Sequence, residues 1–406
     1  MKVLGIASRL PWPPTDGARI CMYHAVTGLA ARGHEVHIVA PEEGGMPDGT
    51  GDLEQYARLH IVPFSPLPRV VGAGLTLFKS NPYTQLRKDL PEVYQLLDRL
   101  QKEEGFDVVY ADQSHIAQYG AYMKRKYGLP YLFRSHNVEH EIWRRHTDRV
   151  RNPLMRFYLE SQYKKWQRFE IGQMQQADVI ASITDRDADT IRTLVPKVPV
   201  ETIPAAVDLE RFTFHAPADR EEQSVILLGG MNWAPNRDAA IWFANDILPL
   251  IHKEMPNVVC HLVGSDPPVG ALPPSTDLFR IEGYVKDILP YYRNVALGLI
   301  PLRVGGGMRV KMVEMMASGL PLVSTSIGAE GNRAVPGEHY LKADSAESFA
   351  AAVIRLLREK DERDRLSRAG RTFIEDNYSV EEIGRRFEAL LTNARNNVST
   401  TSETFQ

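Results

Sequence analysis

The sequence predicts an α/β protein built from two tandem, Rossmann-like, doubly wound domains. Three observations predict it. Short Val- and Ile-rich apolar runs alternate with amphipathic stretches, the signature of βα units on a parallel sheet. The alternation runs twice, on either side of a break near Ile203–Asp208 that a polar stretch, Asp219–Glu222, follows. The chain has 406 residues, 43% hydrophobic and 24% charged, which suits two folded domains and excludes a disordered or fibrous class.

In the first half, strands are expected at Lys2–Ser8, Glu35–Ala40, Leu59–Pro63, Asp107–Ala111, Pro130–Ser135 and Val179–Ile183. Helices are expected near Ala18–Ala31, Thr84–Lys102, Ser114–Tyr127 and Asn152–Gln176. In the second half the strands are Val225–Gly229, Val258–Val263, Leu278–Glu282, Ala296–Pro301, Pro321–Thr325 and His339–Lys342, with helices near Arg237–Glu254, Lys286–Asn294, Met308–Ser318 and Ala346–Arg358. Further helical stretches, Asp361–Glu375 and Val380–Leu391, precede a polar end. The expected division is 1–205, 206–378, a helix at 379–395 packing back towards the first domain, and a disordered tail at 396–406. Open parallel sheets bind ligands beyond the carboxyl ends of their strands, so the two domains are expected to face a central cleft that holds the site.

Charge and cysteine usage narrow the function. Net charge is −3, with a first half at +3 and a second at −6, which is not the footprint of a nucleic-acid binder. A local basic excess lies between Arg144 and Arg168, where eight cations meet only Asp148 and Glu160. Cys21 and Cys260 lack any disulfide or zinc spacing and are expected to be buried thiols. The apolar run after Met1-Lys2 is too short for a signal peptide, so a cytoplasmic protein is expected.

The stretch Pro301–Pro321 carries the most chemistry. A strand ends in Gly305-Gly306-Gly307 and a helix begins, so backbone N–H groups can approach an anion that the helix dipole also favours. Arg309 and Lys311 are expected to add two cations in the first turn. Gly307, Lys311 and Glu314 share one helical face, where Glu314 can accept hydrogen bonds from ribose hydroxyls; the alternative is a Lys311–Glu314 surface pair. Met308, Met312 and Met315 lie near another face and read as core.

Glu314-Met315-Met316-Ala317-Ser318-Gly319-Leu320-Pro321 resembles the second glutamate and the Ala-x-Gly-x-Pro run of the retaining family 4 glycosyltransferases. Gly229-Gly230-Met231-Asn232-Trp233-Ala234-Pro235-Asn236 and Gly283–Asp287 resemble a branch of the same family, and the resemblance spans nearly the whole chain. It implies the GT-B fold and metal-independent transfer of a hexosyl unit from a nucleotide-diphosphate sugar to a glycan or lipid-linked acceptor in polysaccharide biosynthesis. The family's first glutamate falls at Gly306, and Met231 and Arg237 stand where relatives carry an arginine and a lysine on the diphosphate. The diphosphate role therefore passes to Arg237, Arg309 and Lys311, with Gly230, Gly306, Gly307 and Glu314 around the donor and Val285 by the nucleobase.

In the first half, Pro13–Arg19 resembles the family's glycine-rich first loop, so Gly17 is assigned to the donor and Asp16 and Arg19 to the acceptor side, where Glu139 is also placed, either pairing with His136 or capping the next helix. Asp16 equally suits a helix N-cap. His136 follows a strand end where the family often places a histidine near the transferred sugar, and it is the expected catalytic residue. Asp185-Arg186-Asp187 is an Asp-x-Asp, but it follows Thr184 at a helix start, where acids complement the dipole, so no metal is expected there. Two other readings stay open: a nucleotide-sugar epimerase on this fold, and a nucleotide-sugar binding module without activity. The basic, aromatic stretch Trp143–Phe169 and the apolar segment Pro66–Phe78 also suggest attachment to an anionic membrane surface, on the inner face of the membrane; the alternative is a helix packing its aromatics into the core.

Overall fold

A computed structural model describes residues 1–46, 49–65, 76, 80–150 and 152–403. The apolar segment expected at Pro66–Phe78 lies, apart from Thr76, outside the described residues. The chain divides into two compact units, Met1–Ala206 with Val380–Gln406, and Val207–Ser379.

The first unit is a parallel sheet of seven strands: β1 (Lys2–Ala7), β2 (Glu35–Glu43), β3 (Arg58–Phe64), β4 (Val108–Asp112), β5 (Tyr131–Ser135), β6 (Val179–Ser182) and β7 (Val200–Thr202). Their order is β3-β2-β1-β4-β5-β6-β7. Strands β1, β4, β5 and β6 are almost wholly buried, which is why they read as unbroken apolar runs rather than alternating ones. Helix α1 (Gly17–Ala31) follows β1, α2 (Pro91–Glu104) precedes β4, and α3 (Ala117–Tyr127) packs on β4 and β5. Helix α4 (Glu139–Arg149), absent from the expected helices, packs as a hairpin with α5 (Pro153–Met174), which was expected at Asn152–Gln176. Helix α6 (Asp185–Leu194) then leads to β7, a short strand not foreseen in the sequence.

The second unit repeats the plan with β8 (Glu221–Leu228), β9 (Val259–Val263), β10 (Phe279–Gly283), β11 (Val295–Ile300), β12 (Leu322–Ser324) and β13 (Leu341–Lys342), ordered β10-β9-β8-β11-β12-β13. Its helices include α7 (Ala234–Trp242), α8 (Leu248–Glu254), α9 (Leu289–Asn294), α10 (Val310–Ala317), α11 (Ala346–Arg358) and α12 (Lys360–Tyr378). The stretch read as one helix over Arg237–Glu254 passes through a π-helical turn, Phe243–Ile247, between α7 and α8. Met312 and Met315 are fully buried, so the methionine stripe is core. Arg220, also buried, donates to the carbonyls of His215, Tyr292, Val295 and Ser318, pinning the ends of α9 and α10 beside β8.

Helix α13 (Val380–Glu403) belongs to the first unit, where it packs on α1. Residues 396–403, expected as a disordered tail, continue this helix; they are polar but contain neither Pro nor Gly, so nothing in the backbone stops it. No helix among the described residues is long and apolar enough to cross a membrane.

Candidate functional site

Each sheet reverses its winding at one place, between β1 and β4 in the first unit and between β8 and β11 in the second, and loops leaving such a point diverge to form a crevice. In the second unit, Gly229-Gly230 follow β8, and the run to Gly305-Gly306-Gly307 follows β11. Gly229 has φ 153°, and a Cβ there would lie 2.4 Å from the Asn236 amide. That close approach lets Asn236 Nδ2 donate to the Gly230 carbonyl at 3.1 Å. Lys311 Nζ donates to Leu228 O at 2.6 Å and to Asn236 Oδ1 at 3.1 Å, tying the start of α10 to the end of β8. Burial, and then the charge of Arg309, push the Lys311 ammonium down to about 7.

Arg309 is the N-cap residue of α10, one position before the first turn in which it was expected. Gly305 (φ 144°) and Gly307 (φ 78°) hold the preceding loop out of the helix, and a Cβ at Gly305 would lie 2.4 Å from Arg309 Nη2. The side chain is 5% exposed. Its Nη1 donates to Gly306 O at 2.6 Å, and its guanidinium lies 5.4 Å from the centre of the Trp233 ring. Nε and Nη2 are buried without a hydrogen-bond partner among the described residues. No side chain caps α10. A glycine loop, an uncapped helix start and two crowded cations make a local environment suited to an anion.

Glu314, one turn along, meets the Tyr292 hydroxyl at 3.4 Å. Burial raises its pKa against the opposing effects of Arg211 and Tyr292. The structure thus gathers Gly306, Gly307, Arg309, Lys311 and Glu314 along one loop and helix, with Gly230 on the loop after β8 linked to them through Asn236 and Lys311. Arg237 is exposed on α7, and Val285 packs against apolar neighbours; no side-chain bond joins either to that group. Met231 is buried in the core.

In the first unit, β4 ends in Asp112 and β5 in Ser135, which sets His136 beside Asp112. His136 Nε2 contacts Asp112 Oδ1, and Gln113 Nε2 lies 3.4 Å from His136 Nδ1. Asp112 also meets Arg134 at 3.5 Å, and Arg134 donates to Cys21 O at 2.9 Å. Burial works to raise the Asp112 pKa, but the charges of His136 and Arg134 and their hydrogen bonds outweigh it and hold the carboxyl below its usual range. Asp112 accepts from Nε2–H, and Gln113 Nε2 faces Nδ1, which accepts from it only when the ring is uncharged. Both ring nitrogens of His136 therefore face protein groups, and the residue is 7% exposed. Gln113 has φ 92°, a strained conformation for a side-chain-bearing residue, and its Oε1 accepts from Ser8.

A second buried carboxylate organises the next segment. Glu170, on α5, accepts from Ser114 Oγ at 2.7 Å and from the backbone N–H groups of Glu139 and His140 at 3.0 and 3.1 Å, and contacts His140 Nδ1 at 2.6 Å. It acts as the anion at the N-terminus of α4. Burial, and then Glu170 itself, push Glu139 up to about 8. Asp16 is the N-cap of α1, accepting from Ala18 and Arg19 N–H and pairing with Arg9 at 2.7 Å. Gly17 is exposed, and Arg19 is half-buried.

Sequence reasoning missed Asp112, Gln113, Arg134 and Glu170. Asp112 had a signal, a carboxylate closing an apolar strand at the winding reversal. Glu170 had one too, being the odd member of the buried stripe Gln162, Trp166, Glu170 and Met174 at four-residue spacing. Among the described residues, Glu35, His37 and Glu104 are the one group close enough to share a metal ion. They lie at the opposite ends of the strands from Asp112, and Lys2 and Arg58 already pair with both carboxylates. The Asp185-Arg186-Asp187 segment opens α6, capped by Thr184. A groove of about 780 Å³ along β3 contains none of the residues of either group.

Both units match known protein families. The family described as Glycosyltransferase Family 4 matches residues 15–211, and that described as Glycosyl transferases group 1 matches residues 222–359. Only residues 1–14, 212–221 and 360–406 fall outside the two matches. The chain belongs to the family 4, group 1 glycosyltransferases. Among solved structures, sucrose-phosphate synthase from Thermosynechococcus elongatus is similar with a TM-score of 0.70 at 16% identity, over 97% of this chain and 99% of that one. Anabaena HepE in complex with UDP is similar with a TM-score of 0.68 at 13% identity, over 97% and 100%. At such identities the likeness shows the fold, GT-B, with two Rossmann-like units in one chain. An uncharacterized 44.6 kDa protein in the cps region of Klebsiella pneumoniae is 22% identical over 185 residues, 41% of this chain. The match spans 45% of that curated relative's length. This chain carries Gly306 and Met231 where the resemblance calls for a glutamate and an arginine, and the buried Arg309 donates to the Gly306 carbonyl.

Proposed function

We propose that this protein transfers a hexosyl unit from a nucleotide-diphosphate sugar to a hydroxyl of a glycan or lipid-linked acceptor. The observation that carries the reading is the pairing of Lys311 and Arg309 with the glycine loop at the winding reversal of the second unit. The second unit binds the donor: Arg309, Lys311 and the start of α10 take the diphosphate, aided by exposed Arg237, and Glu314 takes the ribose hydroxyls. The first unit binds the acceptor, with Asp16, Arg19 and Glu139 on that side and His136 at the transferred sugar. That Anabaena HepE was solved with UDP supports a uridine donor as the first to try.

In the reaction the acceptor oxygen bonds to the anomeric carbon while the bond from that carbon to the diphosphate oxygen breaks, and the hydroxyl proton leaves with the phosphate or solvent. Negative charge grows on the diphosphate. Fixed cations and helix N–H groups stabilise it without reorganising, which is the part a metal ion plays elsewhere. Retention of the anomeric configuration belongs to the proposal through the family resemblance. With both nitrogens held by Asp112 and Gln113, His136 serves by holding the strand-end loop in shape rather than by moving a proton.

Calorimetric titration of nucleotide sugars in EDTA tests the donor site. Glu314→Ala is expected to weaken binding by roughly 1.5–3 kcal/mol, the range for hydrogen bonds to a charged group, and Lys311→Ala to weaken it as well. Unchanged affinity in both variants, or binding that appears only when Mn²⁺ is added, rejects the assignment.

A further inference from the structure

The tip of the α4–α5 hairpin carries apolar side chains that the rest of its unit leaves uncovered. Leu154, Met155 and Phe157 are 82%, 52% and 72% exposed. They sit in the opening turns of α5, whose start is fixed by Asn152 Oδ1 accepting from the Met155 N–H at 3.1 Å. Helical spacing sets Leu154 and Phe157 on one side and turns Met155 away from Phe157, so the three spread round the exposed first turn. Isolated exposed apolar residues are ordinary, but no other stretch of the described chain gathers three large ones within four residues. The same helix behaves differently further on, where Trp166 and Met174 are fully buried. Core packing thus explains the second part of α5 and not the first.

Exposed cations lie along the same hairpin. Arg144, Arg145, Arg156, Lys164 and Arg168 are all exposed. Arg145 pairs with Glu141 and Lys164 with Glu160, while Arg144, Arg156 and Arg168 have no carboxylate partner among the described residues. An apolar tip on a hairpin that also carries unpaired, exposed arginines matches a surface that is greasy inside and anionic at its rim. A second copy of the chain suits it less, because a two-fold contact would bring the same arginines together.

We propose that this hairpin tip docks the protein on an anionic lipid surface, with Leu154, Met155 and Phe157 in the headgroup–acyl boundary and Arg144 and Arg156 on lipid phosphates. Docking is independent of the donor reading. One extension does rest on the transfer reading: Phe157 and Glu170 lie 13 residues apart on one helix, about 20 Å, so a lipid-borne acceptor would be held close to the loop that Glu170 organises after His136.

The test is sedimentation of the full chain with vesicles of phosphatidylcholine alone and of phosphatidylcholine mixed with phosphatidylglycerol, at low and high salt. Wild-type protein is expected to pellet with the anionic vesicles only, and less as salt rises. Leu154→Ser with Phe157→Ser, and separately Arg144→Glu with Arg156→Glu, are each expected to cut partitioning roughly tenfold or more while leaving the melting temperature unchanged, since all four side chains are exposed. Failure to pellet at low salt, equal binding to neutral vesicles, or wild-type binding by both variants overturns the proposal. So does a dimer, seen by light scattering, that Phe157→Ser abolishes, because the face would then be an interface between copies. Donor titration is a separate readout, so failure here leaves the transfer reading standing.

Discussion

Lys311 is crowded before any ligand arrives, since burial and Arg309 hold its ammonium at about 7 in place of 10.5. The folded value is below the unfolded one, so this lysine subtracts stability fully below about 7, and the penalty fades as pH rises towards 10.5. A bound diphosphate reverses the balance by favouring the charged form. Donor binding at pH 8 is therefore expected to take up a proton, and to take up none near pH 6, where Lys311 is already charged. Calorimetry of a nucleotide sugar in buffers of different ionisation enthalpy reads this directly. The uptake should vanish in Lys311→Met; a binding enthalpy at pH 8 that ignores the buffer would show that Lys311 does not meet the diphosphate. Glu139 shows the opposite sign. Its carboxyl is raised from 4.5 to about 8, so the native state keeps a proton the unfolded chain has lost, and stability falls as pH climbs through that window. Glu139→Gln is expected to raise the melting temperature by roughly 2–4 °C at pH 9 and to leave it unchanged near pH 4.5. Equal effects at both values would rule out the buried pairing with Glu170.

Strand positions were legible because buried parallel strands are unbroken apolar runs, as in Val108-Val109-Tyr110-Ala111 and Val295–Ile300. Helix ends were less so. Gly305 and Gly307 delay α10 to Val310, and only their positive φ angles reveal that Arg309 caps the helix instead of belonging to its first turn. The partners of His136 and His140 were hidden for a different reason: Asp112 lies 24 residues from His136 and Glu170 lies 30 from His140, and adjacency came from strand order and helix packing rather than from any local pattern. The packing of α13 on α1 depends on two glycines. A Cβ at Gly384 would lie 3.0 Å from Gly28 Cα and 3.1 Å from its carbonyl oxygen, so the two backbones touch. Gly384→Val must push the helices apart and is expected to destabilise the protein by roughly 1–3 kcal/mol, as overpacked cores do. Urea unfolding measures it, and an unaltered midpoint would show that the contact is loose.

Across the whole chain the same βα plan is used twice, and each sheet reverses its winding beside the group of polar residues that the glycine loops and strand ends supply. That recurrence made the fold class readable from two rounds of alternating pattern, and it tells where to look for ligands without saying which. The proposed chemistry rests on the second unit, where Arg309 and Lys311 donate to backbone carbonyls at the winding reversal and Glu314 follows one turn along the helix. The most direct measurement is to incubate the protein with isotopically labelled nucleotide sugars, uridine diphosphate sugars first, and to follow the products by mass spectrometry. The expected result is release of nucleoside diphosphate in step with appearance of the labelled sugar free or on an acceptor, abolished in Lys311→Ala. Conversion of the intact donor to its 2-epimer, or donor that binds and is never cleaved, would contradict sugar transfer.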